Sequence, residues 1–445
     1  IGNGAGYTQG TVSGNVFIGF NAGYSDTGSP NTFIGFLSGR KNTTGVRNTF
    51  IGKESGYKNT TGAENIFIGD KAGYSNTIGT SNIAIGNSSG YSLTSGRFNV
   101  LLGVESGRSL TTGNSNFCLG EKTGTSIIVG NDNVLVGRQS GRSLTGNQNI
   151  FIGQSSGGLT KNADDNIFIG NLCGFNNITG TCNTFIGNDA GYSNTVSGNT
   201  FIGFSAGRAT TTGNGNTFIG YLAGRRTTLG PSNTFIGERV GYANTVGQGN
   251  SFIGYQAGQA NISGDLNVFI GYQAGQANTK GPKNLFLGYQ AGNANILGTA
   301  NTFIGYRSGF LNTFGNENVF IGDQSGVNNV IGTANTYIGG QSGYEATGNA
   351  NVFIGKNAGY NETGNNKLYI DVSRTATPLI YGEFDNKNLS FGKMGTRMGA
   401  PVGAIGIPLN ITAPAGNVVG GATLYFDGTT LKYKYGATVR SISFT

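Results

Sequence analysis

Residues 31–35 read Asn-Thr-Phe-Ile-Gly, and the same five residues return at 48–52, 183–187, 199–203, 216–220, 233–237 and 301–305. Relatives of this stretch fill the intervals, among them NIAIG at 82–86, NVLLG at 99–103 and NVLVG at 133–137. Aligned on its Asn, the pattern occurs at 15, 31, 48, 65, 82, 99, 116, 133, 149, 166, 183, 199, 216, 233, 250, 267, 284, 301, 318, 335 and 351. These are 21 copies; 16 of the 20 spacings are 17 residues and four are 16. Ile1 and Gly2 match the tail of a further copy, so the chain is expected to begin inside a repeat.

Counting from the Asn, +4 and +8 are always Gly, as in Gly35 and Gly39, and +3 is only Ile, Leu or Val. Position +2 is Phe in 16 copies and otherwise Ala84, Leu101, Cys118, Leu135 or Tyr337. Position +7 is mostly Ala or Ser, and +9 is often Tyr (Tyr24, Tyr57, Tyr74, Tyr91, Tyr192) or Arg (Arg40, Arg108, Arg142, Arg208, Arg225). A polar run such as KNTTG then leads to the next Asn. Two Gly at fixed places suit turns that need φ > 0 or close backbone approach. Seventeen residues leave no room for a βα unit, and no helical apolar stripe is present. The period fits one coil of a parallel β-solenoid in which like residues stack. With strands ~4.8 Å apart, about 21 coils give a ladder on the order of 100 Å.

Neighbouring side chains of a strand point to opposite faces. Phe33 and Ile34 therefore cannot both enter one coil, and a strand apolar on both faces calls for burial on both. One face lines the coil; the other needs a second surface, which a neighbouring chain would supply, whereas a monomer would overturn this two-face reading. Burying a Phe is worth roughly 4–6 kcal/mol as an upper bound. Ordering the backbone of such Gly-rich coils costs about 1–2 kcal/mol per residue. The repeated Asn, such as Asn31, is read as a ladder whose side chains hydrogen-bond from coil to coil. The structural ladder is thus Asn31, Phe33, Ile34, Gly35, Gly39 and their equivalents.

The 445 residues include 82 Gly, with 11% charged. Such a composition suits low-complexity disorder, but disorder has no reason to keep a Phe-Ile column. Gly does not recur every third residue, which excludes collagen. The net charge of +8 is spread thinly, so no nucleic acid partner is expected. No run of about 20 apolar residues exists, and no membrane span is expected. The chain has no His, which removes Ser-His-Asp and Cys-His catalysis and His-ligated metals. Acidic residues fall mostly at variable loop positions (Glu54, Asp70, Glu121, Glu238, Asp323), and Asp164 and Asp165 are neighbours in a turn, not carboxylates paired across a cleft. The calcium-binding Gly-Gly-x-Gly-x-Asp nonapeptide is absent. No enzyme activity, cofactor or metal is expected. Cys118 and Cys173 fill core slots, and Cys182 lies in a turn, where a Cys173–Cys182 disulfide is an open alternative. The +9 ladder is read as an aromatic and aliphatic cover, with sugar stacking as its functional alternative.

After residue 364 the period is lost. Four segments are expected: a solenoid shaft over 1–364, capping strands over 365–392, a linker over 393–415, and a small β tip over 416–445 with a hairpin at Asp427-Gly428.

The repeat Asn-Thr-Phe-Ile-Gly-x-x-Ala-Gly-Tyr, with NKLYID at 366–371 and TPLIYGEFDN at 377–386, resembles repeat regions of phage and prophage tail fibre proteins. GGATLYFDGTTLKYKYGA at 420–437 looks like a C-terminal module of phage fibre and virion proteins. The coil is also similar to the head repeats of trimeric autotransporter adhesins, NIAIG at 82–86 most nearly, although here the coil is longer and Phe replaces a small residue. The resemblance implies a left-handed coil, a homotrimer, and a virion or extracellular place. It implies baseplate or fibre proteins as partners and a host-surface glycan or protein receptor. It also implies a C-terminal chaperone domain that cleaves itself away. The receptor site is placed at the tip, on Tyr425, Tyr433, Tyr435 and Arg440, from exposure and terminal position. Alternatives are a bacterial cell-surface adhesin or filament subunit, and an ice-binding or glycan-active solenoid. The last would need a regular Thr array or a carboxylate cluster.

Overall fold

The computed structural model describes residues 1–10, 12–391, 405–406, 418–427, 430–436 and 438–442. Among them every regular element is a β-strand, and the chain forms two compact units, Ile1–Ile253 and Gly254–Thr445. In the first, fifteen three-residue strands run from β1 (Val16–Ile18) to β15 (Ser251–Ile253), each parallel to the next. Register is strict: Phe17 faces Phe33, Phe33 faces Phe50, and Phe218 faces Phe235. In the second unit six more run from β16 (Val268–Ile270) to β21 (Val352–Ile354) in the same manner. Each repeat is one coil of a parallel β-solenoid, about 21 in all.

β22 (Lys367–Ile370) is still parallel to β21, with Tyr369 in the Phe slot. The chain then reverses, and β23 (Ile380–Glu383) and β24 (Asn388–Phe391) complete an antiparallel meander. Lys367 Nζ donates to Glu383 Oε1 at 3.1 Å across the first reversal, inside the protein. Burial works against the Glu383 charge. Hydrogen bonds from Asn386, Tyr381 and Lys367, and the Lys367 charge, outweigh it and bring the carboxyl down to about 2. Its contribution to stability is present above about pH 4.5 and fades as pH falls toward 2. β25 (Ile405–Gly406) pairs with β24; the rest of the expected linker at 393–415 lies outside the described residues. β26 (Val418–Asp427), β27 (Thr430–Gly436) and β28 (Thr438–Ser441) form a separate antiparallel sheet, with Asp427 opposite Thr430 at the expected hairpin.

The core follows from the columns. The +2 side chains are buried, and their rings stack at about one strand spacing, as at Phe151–Phe168 (4.7 Å, 4° between planes). The +8 Gly lies against the ring: a Cβ on Gly56, at φ +58, would come within 2.5 Å of Phe50. The +7 serines bond to backbone within the core, as Ser38 Oγ donating to the Phe50 carbonyl at 2.9 Å. The Asn ladder forms as expected but through the main chain as well. The Asn48 N–H donates to Asn31 Oδ1 (2.9 Å), and Asn48 Nδ2 donates to the Gly62 carbonyl (2.8 Å).

Short coils lose their residue in one place. Asn48 reaches a carbonyl 14 residues on, whereas Asn15 reaches Gly28 and Asn133 reaches Gly146, each 13 on. The deletion is absorbed in the turn before that carbonyl, so the strand pairing of Val16 with Thr32 is undisturbed.

A second inner column, at +11, was hidden in the polar runs. Asn42, Asn59 and Asn76 are fully buried there, Asn59 Nδ2 donating to Asn42 Oδ1 and Asn76 Nδ2 to Asn59 Oδ1 at 2.6 Å. Its size varies inversely with the Phe slot. Where +2 is Ala84, Leu101, Cys118 and Leu135, +11 is Leu93, Leu110, Ile127 and Leu144; where +2 is Tyr337, +11 is Ala346. Each coil thereby keeps its interior filled, as close packing demands.

Candidate binding surfaces

The structure settles which strand face looks inward. Phe33 is buried, while Thr32 and Ile34 flank it on the outside, half-exposed. The same pattern holds in all 21 coils: the outer +3 residues include Ile18 at 39%, Leu119 at 41% and Ile354 at 37% exposure. Neither outer column contains a charged residue at any of its positions.

Beyond the strand lies +5, a column the sequence reading passed over. It carries exposed aromatic blocks: Phe20–Phe36, Phe204–Tyr221, and Tyr255–Tyr272–Tyr289–Tyr306 with centroids 5.1–5.3 Å apart. The signal was available in aromatics recurring at the repeat spacing. At +9, Tyr57, Tyr74 and Tyr91 stack nearly parallel at 5.2 and 5.1 Å. Arg40 sits 5.9 Å from both Tyr24 and Tyr57 and donates to the Tyr57 hydroxyl at 2.9 Å. Within each block the rings stack face to face and leave their edges outward, which favours the cover reading over sugar stacking.

The Thr column at +12 is similarly occupied. Thr27, Thr43, Thr60, Thr77 and Thr94 each donate Oγ1 to the carbonyl one coil on, at 2.9–3.1 Å.

At the tip, the register sets Tyr433 opposite Arg440, Leu424 opposite Tyr433 and Ala422 opposite Tyr435. Arg440 is exposed; the side chains of Tyr425, Tyr433 and Tyr435 lie outside the described residues. Tyr433 and Arg440 are thus neighbours across β27 and β28.

The three cysteines are free thiols. Cys118 and Cys173 are buried, and burial pushes both thiols up, Cys118 to about 12; Cys182 is exposed. Among the described residues no group of His, Cys, Asp or Glu is gathered to hold a metal ion, and no helix is long and apolar enough to cross a membrane.

Asp26, like Glu383, breaks the expectation that carboxylates lie in loops. Asp26 occupies the +11 column, fully buried, accepting from Asn42 and Asn31 side chains and from the Gly28 N–H. Burial raises its carboxyl to about 6, against the lowering effect of those bonds. The folded state therefore favours the protonated form. That advantage is complete below about pH 4 and is lost as pH rises through 6. Asp26→Asn restores the column and is expected to protect the first coils by about 3 kcal/mol at pH 7, and by little at pH 4. Amide hydrogen exchange at both pH values checks this; equal gains at the two would show that the charge is not the cause.

Comparison with protein families, with curated proteins and with solved structures finds no match to this chain.

Proposed function

We propose that the chain is the shaft of a homotrimeric virion fibre, of the tail-fibre kind, that gives reach and attachment to a host surface. The observation that carries this is the uncharged outer strand face. In the first unit, fifteen strands ~4.8 Å apart and three residues (~10 Å) long present about 700 Å² of uncharged, mostly β-branched side chains. A monomer rarely leaves a patch of that size open. It is close to the ~800 Å² per partner of a stable interface. The expected occupant is another copy of the same face, because identical columns at identical pitch match each other coil for coil. A Gly-rich coil hydrogen-bonded to its neighbours, with ring stacks wherever the inner slot is aromatic, also suits a structural element better than a catalyst.

Light scattering after size exclusion tests this. The expected mass is three times the 45.9 kDa of the chain. Ile169→Lys with Ile186→Lys, which places two charges on the outer face, should give single chains that are still folded. A single-chain mass for the unmodified protein would overturn the fibre reading and favour a monomeric adhesin.

A further inference from the structure

Where the solenoid passes into its antiparallel cap, the ring stack loses its order. Phe353 and Tyr369 meet at 40° between planes, and Tyr369 and Tyr381 at 47°, whereas the coil before keeps 7°. The tilt and the crossing segment after β22 enclose a solvent-connected cavity of about 160 Å³, lined by Tyr360, Asn361, Glu362, Tyr369, Arg374 and Thr375.

Its two charged groups are held in place yet not neutralised. Glu362 takes the +11 slot of the last coil. Its Oε1 accepts the Gly364 N–H and its Oε2 the Tyr369 hydroxyl, both at 2.6 Å, so the carboxylate is fixed while each oxygen retains a lone pair. The Arg374 guanidinium lies 3.6 Å from the centre of the Tyr360 ring, and its Nη2 donates to Gln341 Oε1 at 3.2 Å. Neither Glu362 nor Arg374 enters an ion pair among the described residues. A stacked, oriented guanidinium with further N–H groups, lining the same cavity as an acceptor-only carboxylate, is a recognition arrangement with two different demands.

We infer that this cavity binds a single sugar unit bearing a carboxylate. The volume is roughly that which admits one six-membered ring. Besides Gly359, Ala376 and the two tyrosine rings, the lining groups are polar or charged, which fits a ring that carries hydroxyls. Glu362 accepts hydrogen bonds from such hydroxyls, and Arg374 supplies a charge-assisted pair to the sugar carboxylate. The Tyr360 face is already covered by Arg374, so recognition is by hydrogen bonds and not by stacking on that ring.

Saturation-transfer NMR on the full chain tests the site, with glucuronic acid as probe and glucose as its neutral counterpart. Glucuronic acid should receive transfer and bind about tenfold more tightly than glucose, the value of one charge-assisted hydrogen bond. Arg374 is exposed and belongs to no coil ladder, so Arg374→Gln should leave the fold intact and reduce glucuronic acid to the level of glucose. Glu362→Gln should weaken both sugars together. No transfer to glucuronic acid, or transfer that Arg374→Gln leaves unchanged, overturns the site. The inference stands apart from the fibre reading: a single-chain mass would remove the trimer without touching the sugar signal.

Discussion

Gly339→Ala is expected to cost about 4 kcal/mol or more, while Gly340→Ala, one residue along, should change stability by less than about 0.5 kcal/mol or raise it slightly. Gly339 is the +4 glycine of its coil, at φ +133, a region that L side chains rarely adopt. A Cβ there would lie 2.5 Å from both the carbonyl carbon and oxygen of Gly355, the equivalent glycine one coil on. That neighbour is main chain held in its own ladder, since the Gly355 N–H donates to the Ile338 carbonyl at 2.7 Å. It has no flexible end to move aside. Gly340 has no positive φ, and the nearest atom to its Cβ would be the Asp323 carbonyl oxygen at 3.9 Å. Alanine there mainly reduces the freedom of the unfolded chain. Denaturation midpoints and amide exchange around 335–356 read both variants. Equal losses at 339 and 340 would mean that the coil tolerates neither side chain, and that contact with the next glycine is not the deciding term.

The same pair shows what the sequence could and could not reveal. The invariance of Gly across 21 copies pointed to special backbone at +4 and +8, and the dihedrals bear this out at Gly35 and Gly39, with φ +136 and +57. The period gave one strand per coil, and the alternation put Phe33 and Ile34 on opposite faces; which of them looks inward came from the structure. What stayed hidden was the second inner column. Asn42 stands in KNTTG, which reads as a solvated turn, yet it is buried because its amide is consumed by Asp26 and the Gly45 carbonyl. A polar residue whose hydrogen bonds are met one coil away has no local signature. The backbone adds a further surprise: non-glycine residues with positive φ recur at +6, as at Leu37, Glu54 and Lys71. The residue types there give no hint of it, because the conformation is imposed by stacking, each N–H reaching the coil before, as Glu54 N–H to the Phe36 carbonyl at 2.8 Å. The junction cavity was equally illegible, since it arises where the period stops.

The second large effect concerns the two inner columns together. Ala84 occupies the Phe slot between Phe67 and Leu101, and Leu93 fills the +11 slot of the same coil. A Cβ built on Gly90 would lie 2.9 Å from Leu101, 3.5 Å from Ala84 and 4.0 Å from Leu93, so the three side chains bound one space. Ala84→Phe alone drives a ring into that space and should cost about 1–3 kcal/mol by overpacking. Leu93→Asn alone removes buried apolar volume beside a small residue and should cost about 2–5 kcal/mol. Together they recreate the Phe-plus-Asn coil found directly before, at Phe67 and Asn76. The double variant also gives Asn76 Oδ1 the donor it lacks, because the Asn ladder ends there against Leu93. The pair should therefore be more stable than at least one single variant, with a coupling of about 2 kcal/mol. A double-mutant cycle by denaturation, with amide exchange in the coils at 65–99, measures it. Additive losses would mean that the two columns pack independently, and that the inverse sizes from Ala84 to Leu144 have another origin.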